Sequence, residues 1–462
     1  MATTITQEPL YDIVPVGQDI MFAVANNGIV ANQVRVKFIA EVHISQVTPP
    51  NPNTSTYLVG TFKTTPNNTG IGMFDLSSVV ESFVKSDNLA APASQYKVST
   101  IVSANIEPKI PLHIIDKGSF NTNIIRYLAI KFKVEYLDND PSSSTYNQII
   151  TDSSTANSDS FTIFNGYLKH TDKLDIVNSD FGYDISKFEL TTYLDKFLTN
   201  APVTQYANME DYGTVAWLDP SLNVNYIIFN FLNAAGVSIG SETYYPSLNV
   251  SSNLRQEIVY LGCYPANLRN WSSVFQALVT ADTVTHYTIR AYASSGATMT
   301  TTYQININCP TLKGYVPIRL AWLNQWGVWD YYTFTQKSIR SLSTKGSTYT
   351  QQSGTWNESS YRINGYKGGM KSFRVNATER IKINTNFVNE SESEWFEELI
   401  NSPEVYILEG YQEDGVNPLL NTYVTPVRLT TSSYIRKTVA NDRLMQYTFE
   451  VEKSKTLRTQ AV

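Results

Sequence analysis

Residues 36–42 read VKFIAEV and residues 130–136 read IKFKVEY. Each places Lys-Phe ahead of a Glu within alternating apolar and polar positions, and a period of two is the mark of a strand with one face on a core. Two further words recur in the same order. GTFKTT (60–65) resembles GYLKHT (166–171), and FDLSSVVESFVKS, from Phe74, resembles FELTTYLDKFLTN, from Phe188. The last pair is amphipathic at helical spacing: Phe74, Val79, Val80 and Phe83 share a face, and Phe188, Tyr193, Leu194 and Phe197 take the same places. Asp75 or Ser77, and Glu189 or Thr191, offer caps and first-turn acids. Helices of about two to three turns are marginal alone and need a sheet to pack on. Three words in one order predict a β-rich module present twice, with its helices on sheets in equivalent places. The second copy carries a longer polar insertion, DNDPSSSTYNQIITDSSTANSDS, a composition that sits in surface loops.

The rest of the chain also reads as strand. VNYIIFNFLNAAGVSIGSETYY is a hairpin turning near Asn233 to Gly236, and RQEIVYLGCY is a further strand. NWSSVFQALV (270–279) reads as a short helix capped by Ser272 or Ser273. VTHYTIRAYASSGATMTTTYQININC is a long hairpin turning at SSG, with Tyr287, Ile289 and Ala291 on one face and Thr288, Arg290 and Tyr292 on the other. GYVPIRLAWLNQWGVWDYYTFTQKS (314–338) is the most aromatic stretch, two strands joined by LNQWG. Polar sequence between Arg340 and Gly369 predicts a long exposed hairpin or arm. SESEWFEELINS is a helix capped by Ser391 or Ser393, with Trp395, Phe396, Leu399 and Ile400 as its apolar side.

Composition agrees. At 462 residues the chain is too long for one ordinary core. It carries 30 Tyr, 20 Phe and 7 Trp, residues suited to pleated, half-buried surfaces. The fold class that follows is mainly β: several β-sandwich or barrel-like domains, each with a short packed helix, the N-terminal module duplicated. The domains are module copy 1 at 1–118, module copy 2 at 119–205, a central β domain with aromatic hairpin and polar arm at 206–368, and a C-terminal α+β domain at 369–462. A net charge of −6 argues against broad nucleic-acid binding, which needs a basic footprint. The start, MATTITQEPLYDIV, has no basic segment ahead of an apolar run, so no signal peptide is expected, and no stretch approaches the ~18–20 apolar residues of a membrane span.

Reacting groups are sparse. His43, His113, His170 and His286 show no metal-ligand spacing. Cys263 and Cys309 stand 46 positions apart with no CxxC pair, so they form either one disulfide or two separate thiols. No G-x-S-x-G elbow or phosphate-binding loop is present, and GYKGGMKS (365–372) reads as a turn. The carboxylate pairs Asp138/Asp140 and Glu392/Glu394 fall in a polar loop and at a helix start. No catalytic residue, metal or cofactor is expected. The WLNQWGVWD cluster supplies the interaction candidates: Trp322, Trp326, Trp329 and Tyr331 either cover a domain or subunit interface or stack on sugar rings.

The order YDIVPVGQDIMF, VKFIAEV, VGTFKTTPNNTGIGMFDLSSVVESFV resembles the N-terminal region of tail-associated virion proteins of tailed bacteriophages, those of Bacteroidetes hosts and crAss-like phages among them. PIRLAWLNQWGVWDYYTF and the order INSPEVYI, PVRLT, YIRKTVANDRLMQYTFEVE resemble them too. The resemblance implies a structural subunit in a tail ring, collar or hub. It would be made in the host cytoplasm and located in the virion tail, partnered by itself and by other tail or connector proteins. Arms near 138–160 and 340–362 would reach neighbouring subunits. An alternative is a receptor- or glycan-binding adaptor at the tail tip. A depolymerase is the third reading.

Overall fold

Alternation at residues 34–45 and 125–137 becomes two long strands, Val34–Ser45 and Ile125–Leu137, in the computed structural model. It describes residues 2–91, 110–168, 188–191, 195–246, 257–308, 314–355, 359–363, 365–409, 423–433, 435 and 445–458. His170, Tyr193, Leu194, Cys309 and the second half of GYLKHT lie outside the described residues. The protein is mainly β, with several separate sheets, five α-helices among the described residues and no closed barrel. None of these helices is long and apolar enough to cross a membrane.

The chain divides into two units. The first comprises Met1–Gln205, Tyr212–Ile307 and Leu323–Asp330. The second comprises Tyr206–Asp211, Asn308–Trp322 and Tyr331–Val462. The predicted boundary at 368/369 falls inside the predicted arm, whose two strands belong to one sheet of the second unit. Polar composition there marks a solvated hairpin, not a linker.

The first unit opens with a sandwich. A three-stranded sheet, in the order Thr4–Gln7, Met21–Ala25, Ile71–Asp75, faces a seven-stranded one. The latter runs Ile13–Pro15, Phe161–Phe164, Ile125–Leu137, Val34–Ser45, Leu58–Thr64, with Ile149–Thr151 and Ala156–Asn157 also paired to Ile125–Leu137. Phe22 and Phe74 from the small sheet meet Phe132 from the large one, each with centroids 5.7 Å apart, and Phe38, Val42, Ile130 and Val134 complete the core. Burying such side chains stabilises by roughly 1.5–3 kcal/mol each.

The recurrent strands are neighbours. Val34–Ser45 and Ile125–Leu137 pair antiparallel, with Lys37 opposite Glu135, Ile39 opposite Lys133 and Glu41 opposite Lys131. A two-fold rotation about the Ile39/Lys133 pair therefore carries each KFxxE word onto the other. The other two words do not follow this symmetry. Gly60–Lys63 lies in a strand along VKFIAEV, whereas Gly166 comes after the Phe161–Phe164 strand and accepts a bond from Gly17 N at 3.0 Å. Phe74 lies in a strand, and the helix after it is only Ser77–Glu81, with Val80 buried in the sandwich core. Phe188 packs instead on Trp326, and Leu190 N donates to Leu218 O. The segments 1–118 and 119–205 thus contribute to one shared sheet and core, and the third word occupies unrelated surroundings in its two occurrences. The physical reason is that a strand with an apolar face and Lys and Glu on the other face is its own antiparallel complement, so the repeated words pair with each other.

Further along, Tyr226–Leu232, Ser238–Tyr244, His286–Tyr292 and Tyr303–Asn308 form an antiparallel sheet. Both predicted hairpins are present. Asn233 Oδ1 accepts from Ala235 N and Val237 N, and Gly236 takes a φ of +75°, a left-handed turn conformation open to glycine. Tyr287, Ile289 and Ala291 are fully buried as the alternation requires. The helix Ser273–Thr280 is capped by Ser272, whose Oγ accepts from Phe275 N at 3.1 Å, and Phe275 packs on Phe231 and Tyr287. A small sheet of Thr214–Leu218, Ile258–Gly262 and Gly118–Phe120 completes the unit.

The second unit is built on a sheet in the order 331–334, 318–322, Val405–Leu408, Val424–Leu429, Thr448–Lys453, Gly369–Asn384, Ile339–Gln351. One helix, Glu390–Asn401, covers it through Trp395, Phe396 and Leu399. Its cap is Asn389, not Ser391 or Ser393: Asn389 Oδ1 accepts from Glu392 N while Glu392 Oε2 accepts from Asn389 N, a complete capping box. Ser393 is buried instead, against the Tyr447 hydroxyl at 2.8 Å.

Candidate functional site

The aromatic hairpin is core. Trp322, Trp326, Trp329 and Tyr331 are 0, 3, 3 and 3% exposed, so none presents a ring face on which a sugar could stack. Trp322 lies 4.9 Å from Trp395 and 6.3 Å from Phe396. Trp326 meets Phe188 edge-on at 5.4 Å. Trp329 Nε1 donates to Asp87 O at 2.8 Å, and its ring meets His113 at 4.5 Å. Tyr331 lies under the Arg319 guanidinium at 5.3 Å. The residues between these aromatics fix the turn: Asn324 Oδ1 accepts from Trp326 N and Val328 N, and Gly327 has a φ of +68°.

The remaining polar candidates are also absorbed locally. His43 is buried with Nδ1 3.2 Å from Thr56 O, and His286 Nδ1 lies 3.0 Å from Thr285 Oγ1. Cys263 is buried. Glu392 belongs to the capping box, and burial raises its carboxyl above the ordinary range. Asp138 accepts from Thr145 Oγ1 at 2.6 Å and Asp140 from Ser142 Oγ at 2.7 Å, and these hydroxyl and amide donors hold both carboxyls below the ordinary range. GYKGGMKS turns through Gly368 and Gly369, both left-handed, into a strand. Among the described residues no three His, Cys, Asp or Glu side chains are placed to hold a metal. A buried trio that the sequence did not flag ties the second unit together: Arg319 Nη1 donates to Thr333 Oγ1 at 2.8 Å, and Thr333 Oγ1 to Asp211 Oδ2 at 2.7 Å.

What stays bare is the arm. Ile339–Gln351 and Gly369–Asn384 pair along thirteen positions, from Ile339/Lys382 to Gln351/Gly369. At about 3.4 Å per residue this ribbon is about 44 Å long. Ser, Thr and Gly dominate its first strand, IRSLSTKGSTYTQ, which is exposed almost throughout. Neither strand contains proline, so every amide can donate.

The two faces differ. Ile381 and Ile383 are fully buried at the root, and the same face continues outward through Ala377, Val375 and Leu342. Leu342 is 61% exposed and Met370, further out, 76%. The opposite face carries Lys345, Ser347 and Tyr349 on one strand, across from Asn376, Arg374 and Lys371. A one-residue irregularity between Ser347 and Thr348 brings Phe373 beside Tyr349, with centroids 6.4 Å apart. This face is basic and aromatic.

The root is ionically fixed. Glu379 sits 3.0 Å from Lys453 Nζ and 3.7 Å from Arg340 Nη1. Glu452 accepts from Arg380 Nε at 2.8 Å and Arg428 Nη2 at 3.0 Å. Beyond that network, no described carboxylate lies within ion-pair distance of Lys345, Arg362, Lys367, Lys371 or Arg374. The polar stretch between Arg340 and Gly369 announced an exposed hairpin. The bulge and the division of faces depend on pairing register, which the sequence does not display. No protein-family model matches this chain, and no curated protein does.

Proposed function

We propose that this chain is a non-catalytic structural subunit of a tailed-phage virion, a ring, collar or hub component of the tail that assembles with itself and with neighbouring tail proteins. The observation that carries the reading is the bare outer part of the arm, where 345–351 pairs with 369–376 and nothing else among the described residues. An isolated two-stranded ribbon is marginal in water, and one with exposed Leu, Met, Phe and Val gains most from a partner surface. Ribbons whose free edges add to another sheet are an established route to protein assembly. Separately built sheets and an interior that takes up Trp322, Trp326 and Trp329 fit a scaffold better than a sugar-binding cleft. The resemblance of words from VKFIAEV to YTFEVE to those of phage tail proteins is what favours a virion as the particle. Mass spectrometry of purified virions tests it: the chain is expected among the particle proteins at stoichiometric level, and its absence from intact particles would overturn the reading.

A further inference from the structure

We infer that the basic face of the arm docks on a second copy of this chain, against the acidic stretch 138–160, so that the arm is a clasp between identical subunits. This rests on the assembly reading above and names the partner.

The arm and the rest of the chain carry opposite charge. Residues 339–384 hold eight Lys and Arg against two Glu, a net +6. The whole chain is −6, so the other 416 residues carry −12. A basic element on an acidic body is complementary to other copies of the same molecule. A polyanionic nucleic acid approaching the arm would meet five distal cations and be repelled by the rest.

The receiving surface has the matching chemistry. Residues 138–160 contain four Asp and no Lys or Arg. Asp159 N donates to Glu8 Oε2 at 3.3 Å, which brings a fifth carboxylate to the stretch. Asp140 is exposed, with its carboxyl held below the ordinary range by Ser142, whereas Asp138 is buried against Ser143 and Thr145 and adds its charge from beneath the surface. Tyr146 and Ile149 are exposed among these acids, at 53 and 65%. Among the described residues the strand Ile149–Thr151 pairs only with Glu135–Leu137, so its other edge is open to a further strand. The arm's face offers Lys345, Lys371 and Arg374 around Tyr349 and Phe373. Acids around apolar side chains meet cations around rings, the pairing that gives an interface specificity and a fast on-rate.

The test uses the full chain and two charge-reversed variants: Lys345→Glu/Lys371→Glu/Arg374→Glu on the arm, and Asp140→Lys/Asp159→Lys on the receiving stretch. Sedimentation velocity across a concentration series is expected to show self-association of the wild type that weakens at high salt. Each variant alone is expected to associate at least about tenfold more weakly, and an equimolar mixture to recover association, because the reversed surfaces complement each other. Recovery can come only from folded chains, so it separates docking from damage. A wild type that stays monomeric at every concentration, or variants that associate like wild type with no gain on mixing, would overturn the clasp. So would tight binding of a duplex oligonucleotide by the wild type that the arm variant loses. Virion mass spectrometry is read independently: presence in particles with a monomeric wild type sinks the clasp and leaves the assembly reading standing, and the converse result does the opposite.

Discussion

Ile39 lies directly opposite Lys133 in the largest sheet of the first unit, and the two recurrent KFxxE strands are related by a two-fold rotation about that pair. The rotation sets Lys37 against Glu135 and Lys131 against Glu41. It also lets Lys133 reach Glu41 at 2.5 Å, while Lys63 from the next strand reaches Glu135 at 2.6 Å. One face of the paired strands is a charge lattice and the other is the sandwich core.

The two faces should differ in energetic weight. Glu41→Gln removes a partly exposed ion pair and is expected to cost less than about 1 kcal/mol, with a smaller effect at high salt. Phe132→Ala empties the centre of the core between Phe22 and Phe74 and is expected to cost about 3–5 kcal/mol. Urea unfolding of both variants checks the ratio; equal costs would mean that the sheet is held by its charges.

Trp322 is expected to act as a core residue. Trp322→Ala should lower stability by about 3–5 kcal/mol through the cavity left beside Trp395 and Phe396. Thermal melts followed by near-ultraviolet circular dichroism measure this. A variant with wild-type stability that lost only glycan binding on an array would return Trp322 to a recognition role.

Acid should loosen the root of the arm. The bond from Arg380, with Arg428 adding to it, holds the Glu452 carboxyl below its ordinary value. A carboxylate with a lowered folded pKa contributes stability that is complete above the ordinary value of 4.5 and is lost as pH falls through the lowered one. Glu452→Gln is therefore expected to be less stable than wild type at neutral pH, by under about 1 kcal/mol because both arginines are largely solvated. The difference should close in acid. Denaturation midpoints measured across the acid range would count against this if the gap widened as pH fell.

Two left-handed glycines should respond differently to the same substitution. At Gly236, φ +75°, an added Cβ meets open space, so Gly236→Ala is expected to cost about 1–2 kcal/mol from backbone strain alone. At Gly327, φ +68°, the Cβ would run into Asn165 O, a backbone atom that cannot swing away. Gly327→Ala should therefore cost clearly more than Gly236→Ala in parallel melts, and equal costs would refute the close approach.

By itself the amino-acid sequence determined what is local. Alternation placed the strands, as at Tyr287, Ile289 and Ala291. Asn233 to Gly236 marked a turn because its side chain and glycine can satisfy one without help. Polar Ser, Thr and Gly between Arg340 and Gly369 marked an exposed hairpin, because such residues have no apolar face to bury. Tertiary structure decided everything that depends on which segments meet. The repeated words predicted two modules, yet two strands alike in their alternation of charge and apolar side chains satisfied each other best as neighbours in one sheet. Trp322, Trp326, Trp329 and Tyr331 were legible as interaction residues only by type, and rings of that size go wherever the surrounding strands leave a volume to fill. The basic face of the arm was invisible for the same reason. Lys345, Lys371 and Arg374 are scattered in sequence, and only antiparallel pairing with one irregular position gathers them on one side.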